Sequence, residues 1–474
     1  MSTAPPPARG PVAHISYGIG AAAFGIKDQG FSYLLLIFYN QVLGLPAATV
    51  GLAILIALFA DAVFDLAIGQ ASDATRSRWG RRHPWIYAGA IPAGLAYWAL
   101  WNPPAGLDPA GLFFWLLGFA MLVRLLISTT EIPSASLVGE LTDDYDERTR
   151  FLGWRYLMGW LGGIVAGVLA FAVFLQPTVA QPVGILNRAG YQGYAIFAAV
   201  AMATATLTSA LLTHRYIRGL KPLPPRAGLG EELAAARAAL ANPAFLTILS
   251  AGLFSAMAVG LATALNVYIN SYFWGLSTDA QSLLVLSSLV GAVSALLVAA
   301  RLGARFGKKH AAMTAFLAAI VVGPSLLLLR LAGVLPGNSD PALLPLLLGH
   351  AAVLVTFFVT ASILIASMLT DTLEANEAAT GRRTEGLYFG ASFFIQKCVT
   401  GIGVFASGTI IDAIGLTVGA RPGSVAPAVL DRLVMVYVPL STILFLLALT
   451  CLSRYGIDRA GFEATRAELA RRRG

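Results

Sequence analysis

The hexapeptide Arg78-Trp79-Gly80-Arg81-Arg82-His83 recurs in the second half of the chain as Arg305-Phe306-Gly307-Lys308-Lys309-His310. The tripeptide Leu141-Thr142-Asp143 recurs as Leu369-Thr370-Asp371 at almost the same offset, about 228 residues. All four stretches lie in short polar breaks between long apolar segments. One match alone would be consistent with chance, but two matches at one offset indicate an internal duplication. In a membrane protein, a half-chain period is typical of duplicated helix bundles with a substrate path between them.

The composition is that of a membrane protein. The chain has 474 residues, of which 57% are hydrophobic and 12% charged, and its mean hydropathy is +0.74. Soluble domains carry about 25% charged residues, and a membrane-spanning helix needs about 20 predominantly apolar residues. The predicted fold class is therefore an all-α membrane protein with twelve transmembrane helices in two six-helix bundles. The predicted spans are 15–43, 47–72, 84–102, 110–142, 150–175, 191–213, 244–273, 280–305, 310–333, 342–370, 384–414 and 431–453.

The longest polar break, residues 214–243, divides the predicted spans into six plus six. It contains Pro222, Pro224, Pro225 and a short helical run, Glu231 to Leu240, which is expected to lie along the membrane surface. The start of the chain lacks the charged segment and cleavage site of a signal peptide. The predicted organisation is an N-tail (1–14), an N-terminal bundle (15–213), the central loop (214–243), a C-terminal bundle (244–454) and a C-tail (455–474).

The positive charges are distributed unevenly between the two sides of the predicted spans. Of the 32 Lys and Arg residues, 24 fall in the two tails and in the loops on the same side, and four fall on the opposite side. The positive-inside rule therefore predicts that both termini are cytoplasmic. The net charge of +8 then reflects topology and does not indicate a nucleic-acid partner. The two cysteines, Cys398 and Cys451, fall inside spans and indicate neither a disulfide framework nor a metal site.

Eight charged residues are predicted to lie inside the spans, and their charges sum to zero. Each costs about 2.5–3.5 kcal/mol at the centre of a membrane helix. They could act only as ion pairs between helices, but buried ion pairs stabilise less well than apolar packing. A polar transport path explains their presence better. The residues are Lys27, Asp28, Asp61, Asp65, Arg124, Glu131, Arg155 and Lys397.

Asp61 and Asp65 are the most informative pair. Their i, i+4 spacing places both carboxylates on one face of the second predicted helix. Two carboxylates that close cannot both remain ionised at low dielectric without a cation between them. A proton or a small cation is therefore expected at this position, as in a site that couples ion binding to a conformational change. An intramembrane aspartyl protease would need its two aspartates on different helices, so this alternative is disfavoured.

The break Gly69–Ile86 resembles the loop between helices 2 and 3 of the major facilitator superfamily, and more narrowly that of the glycoside–pentoside–hexuronide:cation symporters (the melibiose-permease-like family). The resemblance extends over nearly the whole chain. It includes the motifs Ala23-Phe24-Gly25-Ile26-Lys27-Asp28, Asp61/Asp65, Glu131-Ile132-Pro133, Glu147-Arg148-Thr149-Arg150, Asp371-Thr372-Leu373-Glu374, Thr380-Gly381-Arg382-Arg383-Thr384-Glu385-Gly386 and Lys397.

The resemblance implies a multi-pass protein of the bacterial inner membrane that imports a sugar or glycoside together with H⁺ or Na⁺ by alternating access. It implies that the cation site consists of Asp61, Asp65 and Lys397, where the two aspartates would be metal ligands under sodium coupling; Ser128 could add a hydroxyl. It implies that the substrate site is lined by Lys27, Asp28, Glu131, Arg155 and Lys397. A cytoplasmic gate would be formed by Asp73, Arg81, Arg82, Glu140, Asp143, Asp371, Arg382 and Arg383. Arg124 is expected to be a structural partner of Glu131 and not a ligand.

Three positions depart from the family pattern. Phe64 stands where a polar cation ligand is common, which favours a proton over sodium because a phenyl ring cannot coordinate sodium. Ala135 and Ser362 stand where galactoside transporters have tryptophans, so stacking on the apolar face of a sugar is lost. A galactoside is therefore a poor candidate substrate, and another glycoside, a glucuronide or a substrate less like a sugar stays open.

These departures are compatible with one alternative function. The alternative function is cation-coupled transport of a lysolipid or another amphiphile. A membrane sensor would need an appended signalling domain, and an enzyme would need a nucleophile–base pair or a metal cluster in a polar segment. No cofactor is expected beyond the coupling ion, and a monomer would suffice because one chain contains both halves of the pathway.

Overall fold

The chain is mainly helical and has no strands in the part that the computed structural model describes. The described residues are 10–142, 144–216, 243–380, 385–456 and 471. Ten helices among them are long and apolar enough to cross a membrane. The predicted first and third spans are helical as well, the first as a series of shorter segments. The predicted all-α, multi-span fold is therefore confirmed. The helical run predicted at 231–240 lies outside the described residues.

The first span, α1, is not a regular helix. It consists of Pro11–Gly18 and Ala21–Gln29, followed by π-helical turns at Gly30–Leu34 and Phe38–Val42 on either side of Leu35–Ile37. The remaining helices of the first half are α2 (Ala47–Ala74), α3 (His83–Leu100), α4 (Pro109–Ser136, continued by Val138–Leu141), α5 (Tyr145–Leu169, continued by the π turn Ala170–Phe174) and α6 (Arg188–His214).

The second half repeats this pattern of helices. It contains α7 (Pro243–Tyr268, continued by the π turn Ile269–Phe273), α8 (Thr278–Phe306), α9 (Lys308–Leu331), α10 (Leu343–Thr380), α11 (Glu385–Ile414) and α12 (Pro427–Ser453). Both α1 and α7 end in a π-helical turn, a feature that frequently marks functional sites in helices.

The repeated hexapeptides share a glycine with a positive φ angle. Gly80 has φ 79° and Gly307 has φ 74°. Residues other than glycine rarely adopt such positive φ angles. Gly80 lies in the turn that leads into α3, and Gly307 precedes α9 directly. The sequence repeat therefore corresponds to a structural repeat, because each glycine reverses the chain at the start of the third helix of its half.

Contacts divide the chain into two compact units. The first contains residues 1–224 together with 263–282 and 404–425, and the second contains 225–262, 283–403 and 426–474. The core of the first unit includes an aromatic cluster in which the rings of Trp101 and Tyr191 stack with centroids 5.9 Å apart and Phe38 lies 4.7 Å from Tyr191. The second unit has its own apolar core, in which Phe316 packs edge to face on Phe445 at 5.6 Å.

Glycines allow close helix contacts in each unit. A β-carbon at Gly25 on α1 would lie 1.9 Å from the carbonyl oxygen of Gly159 on α5. In the second unit, a β-carbon at Gly403 on α11 would lie 2.1 Å from the carbonyl oxygen of Met257 on α7. Small residues at such positions let helix backbones approach closely. Both units therefore bring the first and fifth helices of a half into backbone contact.

Candidate coupling and substrate site

The site is built on two helices that face each other through pairs of residues one turn apart. Asp61 and Asp65 lie on α2, while Arg124 and Ser128 lie on α4 with the same i, i+4 spacing. Asp108 begins α4 as its N-cap, accepting a hydrogen bond from the backbone N–H of Gly111 at 2.9 Å. Because residues four apart share one helix face, the two pairs meet directly.

Arg124 and Asp61 form a buried ion pair. Nη1 of Arg124 donates to Oδ2 of Asp61 at 2.9 Å, and the two side chains are only 6% and 5% exposed. The guanidinium also lies over the ring of Phe31 on α1, 4.8 Å from its centroid. The expectation that Arg124 partners Glu131 is wrong, because its side chain extends towards α2. Sequence reasoning identified Arg124 as a charge inside a span but did not assign it to the aspartate pair.

Ser128 connects the two aspartates. Its hydroxyl lies 2.6 Å from Oδ1 of Asp65 and 3.3 Å from Oδ1 of Asp61. A hydroxyl has one proton to donate, and Asp65 is its nearer acceptor. The predicted grouping of Asp61, Asp65 and Ser128 is therefore present in the structure. Phe64, on the same turn of α2, is half-buried.

A second group of charges lies on α1, α4 and α5. Lys27 is buried, and its Nζ lies 2.6 Å from Oδ1 of Asp28, whose side chain is 47% exposed. Lys27 also lies 4.2 Å from the centroid of the Phe24 ring. This arrangement places one ammonium and one partly exposed carboxylate side by side.

Arg155 joins α5 to α4. Its Nη1 donates to Oγ of Ser134 at 2.8 Å, and Nη2 donates to the carbonyl oxygen of Glu131 at 3.3 Å. The same Nη2 lies 3.8 Å from Oε1 of Glu131. A cavity of about 20 Å³ adjoins these residues and is also lined by Phe24 and Thr130. Since ligand pockets typically measure about 300–1,000 Å³, this cavity holds about one water molecule and does not enclose a sugar.

Four of the predicted gate residues meet where α2 ends and α3 begins. Arg82 forms an ion pair with Asp73 and donates to Oγ of Ser72 at 2.7 Å. Glu140, at the end of α4, lies 3.3 Å from Arg81 and 3.5 Å from Arg82. The predicted gate positions Asp143, Arg382 and Arg383, and the side chain of Asp371 on α10, lie outside the described residues. Lys397 is half-buried on α11 in the second unit, and its role at the aspartate pair stays a prediction.

A second polar cluster occurs at the opposite end of α2. Asp412 accepts hydrogen bonds from the backbone N–H groups of Ala47 and Ala48 at 2.9 and 2.8 Å, and so caps the start of α2. Nearby, the hydroxyl of Tyr268 donates to Oδ1 of Asn40 at 2.9 Å. Sequence reasoning missed this cluster, because Asp412 lies two residues before the end of the predicted eleventh span and was not included among the eight charges assigned to the spans.

The family model for MFS/sugar transport proteins matches residues 16–459. This chain belongs to that family. It is a melibiose-permease-like symporter of the major facilitator superfamily, a multi-pass membrane transporter and not an enzyme.

Relatives and solved structures agree with this membership. The chain is 27% identical to an uncharacterized symporter of Synechocystis sp. over 87% of both chains. It is 25% identical to a putative glycoside/cation symporter of Escherichia coli over 97% of this chain and 95% of the relative. It is 26% identical to the isoprimeverose transporter of Lactiplantibacillus pentosus over 94% of this chain and 88% of the relative. Among solved structures, a D-xylose-proton symporter matches 95% of this chain and 98% of its own chain. The TM-score is 0.62 at 13% identity, which shows the shared fold.

Proposed function

We propose that this family member imports a sugar or glycoside together with a proton by alternating access, with the substrate site open to one side of the membrane at a time. Relatives named as a glycoside/cation symporter and an isoprimeverose transporter support the substrate class. The asymmetric distribution of Lys and Arg supports an inner-membrane location with both termini in the cytoplasm. A monomer working without a cofactor is part of the same proposal.

The observation that carries the proton proposal is the charge balance at α2 and α4. Asp61 and Asp65 contribute two negative charges, and Arg124 contributes one positive charge in direct contact with Asp61. Protonation of one carboxylate therefore neutralises these three groups, and Asp65 is the carboxylate opposite the serine and not the arginine. Other charged groups on these and the adjoining helices include Glu131 on α4 and Lys27 with Asp28 on α1.

The proposed substrate site uses the two other charged pairs. Lys27 with Asp28, and Arg155 with Glu131, offer cationic donors beside anionic acceptors. Sugar hydroxyls both donate and accept hydrogen bonds, so such pairs suit a polyhydroxylated ligand. Ala135 leaves this site without a tryptophan for stacking, which disfavours a galactoside and leaves other glycosides as candidate substrates. Because the cavity at Glu131 is only about 20 Å³, sugar entry requires an opening movement.

The ion pairs of Asp73, Arg81, Arg82 and Glu140 are proposed to act as one part of the cytoplasmic gate. They connect the end of α2, the start of α3 and the end of α4 through two neighbouring arginines. Breaking and remaking such pairs gives a helix bundle two discrete arrangements, as alternating access requires.

The proposal is tested by sugar uptake in reconstituted vesicles. A panel of glycosides and pentosides is offered under an inward proton gradient in sodium-free medium, first to the wild-type protein and then to Asp65→Asn. We expect Asp65→Asn, which imitates the protonated carboxyl, to lower gradient-driven accumulation at least about tenfold because no proton is exchanged at the site. Asp108→Asn, a change at an exposed helix cap, is the control and should transport normally. Unchanged accumulation by Asp65→Asn would exclude the proposed coupling site.

A further inference from the structure

We propose that Arg124 is a tethered counter-cation that excludes sodium from the aspartate pair, so that removing its charge creates a sodium site. The ion pair with Asp61 carries this inference. The 2.9 Å contact is nearly inaccessible to solvent, with the two side chains 6% and 5% exposed, and the guanidinium is held in place by the ring of Phe31 on a third helix. The positive charge that a coupling sodium would bring is thus already supplied by the chain.

The oxygen donors around the pair do not fit sodium. Hard cations bind through a shell of several oxygen atoms, and the residue directly before Asp65 on α2 is Phe64, whose side chain supplies none. Oδ2 of Asp61 accepts from Arg124. The hydroxyl of Ser128 donates at 2.6 Å to Asp65. A sodium ion between the carboxylates would also lie close to the guanidinium and be repelled by it.

The balance changes when the guanidinium is removed. Asp61 and Asp65 would then lie on adjacent turns without the positive charge of Arg124, so the repulsion between a sodium ion and the guanidinium would be gone. Oδ2 of Asp61 would also lose the donor that it now contacts. The inference assigns to Arg124 the choice of coupling ion, and it deepens the proposed function, on which it rests.

The test measures sodium binding alone and needs no sugar. Thermal unfolding of the purified protein is followed in sodium chloride and in choline chloride at matched ionic strength, for the wild-type protein, Arg124→Ala and Arg124→Lys. Ligands that bind only the folded state raise the melting temperature. We expect sodium to leave the wild-type protein and Arg124→Lys unchanged, because both keep the positive charge, and to raise the melting temperature of Arg124→Ala saturably by at least about 2 °C.

A second variant guards against loss of folding. Arg124→Gln keeps an amide donor for Asp61 without the charge, and it should behave like Arg124→Ala. If either variant folds only in sodium, the inference is supported. The inference is overturned if a variant stays unfolded in sodium, or if both variants fold but sodium does not raise their melting temperatures. It is also overturned if sodium stabilises the wild-type protein.

The sugar-uptake experiment remains a separate measurement. If Arg124→Ala binds sodium but the wild-type protein takes up no sugar, the proposed function is rejected and this inference stands. If the wild-type protein takes up sugar without sodium but sodium does not change the melting temperature of Arg124→Ala or Arg124→Gln, only this inference is rejected.

Discussion

A single guanidinium, that of Arg155, connects α5 to α4, two of the helices that carry proposed substrate residues. It contacts Ser134 and the backbone and carboxylate of Glu131, and its residue is buried. Lysine keeps the charge but presents a single ammonium, so it cannot maintain this fork of contacts. Arg155→Lys should therefore stay folded and weaken sugar binding at least about tenfold, which corresponds to about 1.4 kcal/mol.

This prediction is checked by the concentration dependence of sugar uptake. Arg150→Lys is the matched control, since Arg150 is an exposed arginine just over one turn earlier on α5. An equal KM for Arg155→Lys and Arg150→Lys would show that Arg155 does not shape the substrate site.

At the scale of helices, the contact between α1 and α5 determines where the charged residues lie. Gly25 is two residues before Lys27, and Gly159 is one turn after Arg155. A β-carbon at Gly25 would lie 1.9 Å from the backbone oxygen of Gly159 and 2.7 Å from the backbone nitrogen of Gly163. Backbone atoms cannot rotate away, so Gly25→Ala must separate the helices. Overpacking of this kind costs about 1–3 kcal/mol.

Gly25→Ala should thus lower the melting temperature and reduce sugar uptake together. Gly153→Ala is the control on α5, because a β-carbon there meets nothing within 4 Å, and alanine favours a helix over glycine by about 1 kcal/mol. If Gly25→Ala were as stable as Gly153→Ala, the close α1–α5 contact would be absent in the protein.

The sequence predicts the helices better than their internal geometry. Apolar length locates the spans because a bilayer requires it, and the repeated glycines Gly80 and Gly307 indicate the turns because both need positive φ. The π-helical turns in α1 were not predictable, since they depend on contacts between helices and not on local apolar pattern. The partner of Arg124 was missed for a related reason. Charge balance shows that the intramembrane charges must pair, but it does not show which charges meet.

At the scale of the whole chain, the first compact unit includes segments 263–282 and 404–425 from the second half of the sequence. The six-plus-six division read from the central loop does not indicate this, because sequence order does not show which helix ends remain in contact. Asp412 belongs to segment 404–425, and it caps α2 through Ala47 and Ala48. Alternating access requires such contacts to open and close, so this cap should influence the opening equilibrium.

Asp412→Ala should accelerate hydrogen exchange of the backbone amides at the start of α2. Loss of a helix cap costs about 0.5–2 kcal/mol, which corresponds to an increase in exchange rate of about tenfold. The control is Asp340→Ala, since Asp340 accepts a hydrogen bond from the backbone N–H of Ala342 in an exposed loop of the second unit. Equal exchange rates at Ala47 and Ala48 in both variants would indicate that Asp412 does not stabilise the start of α2.

The central claim, that sugar and proton move together through the aspartate pair, is tested most directly by recording the pH inside liposomes that contain the purified protein. A sugar found by the uptake screen is added outside in sodium-free medium at equal internal and external pH. The account predicts that the interior acidifies as sugar enters, and that Asp65→Asn abolishes this acidification. Sugar entry without acidification, or entry only when sodium is supplied, would contradict it.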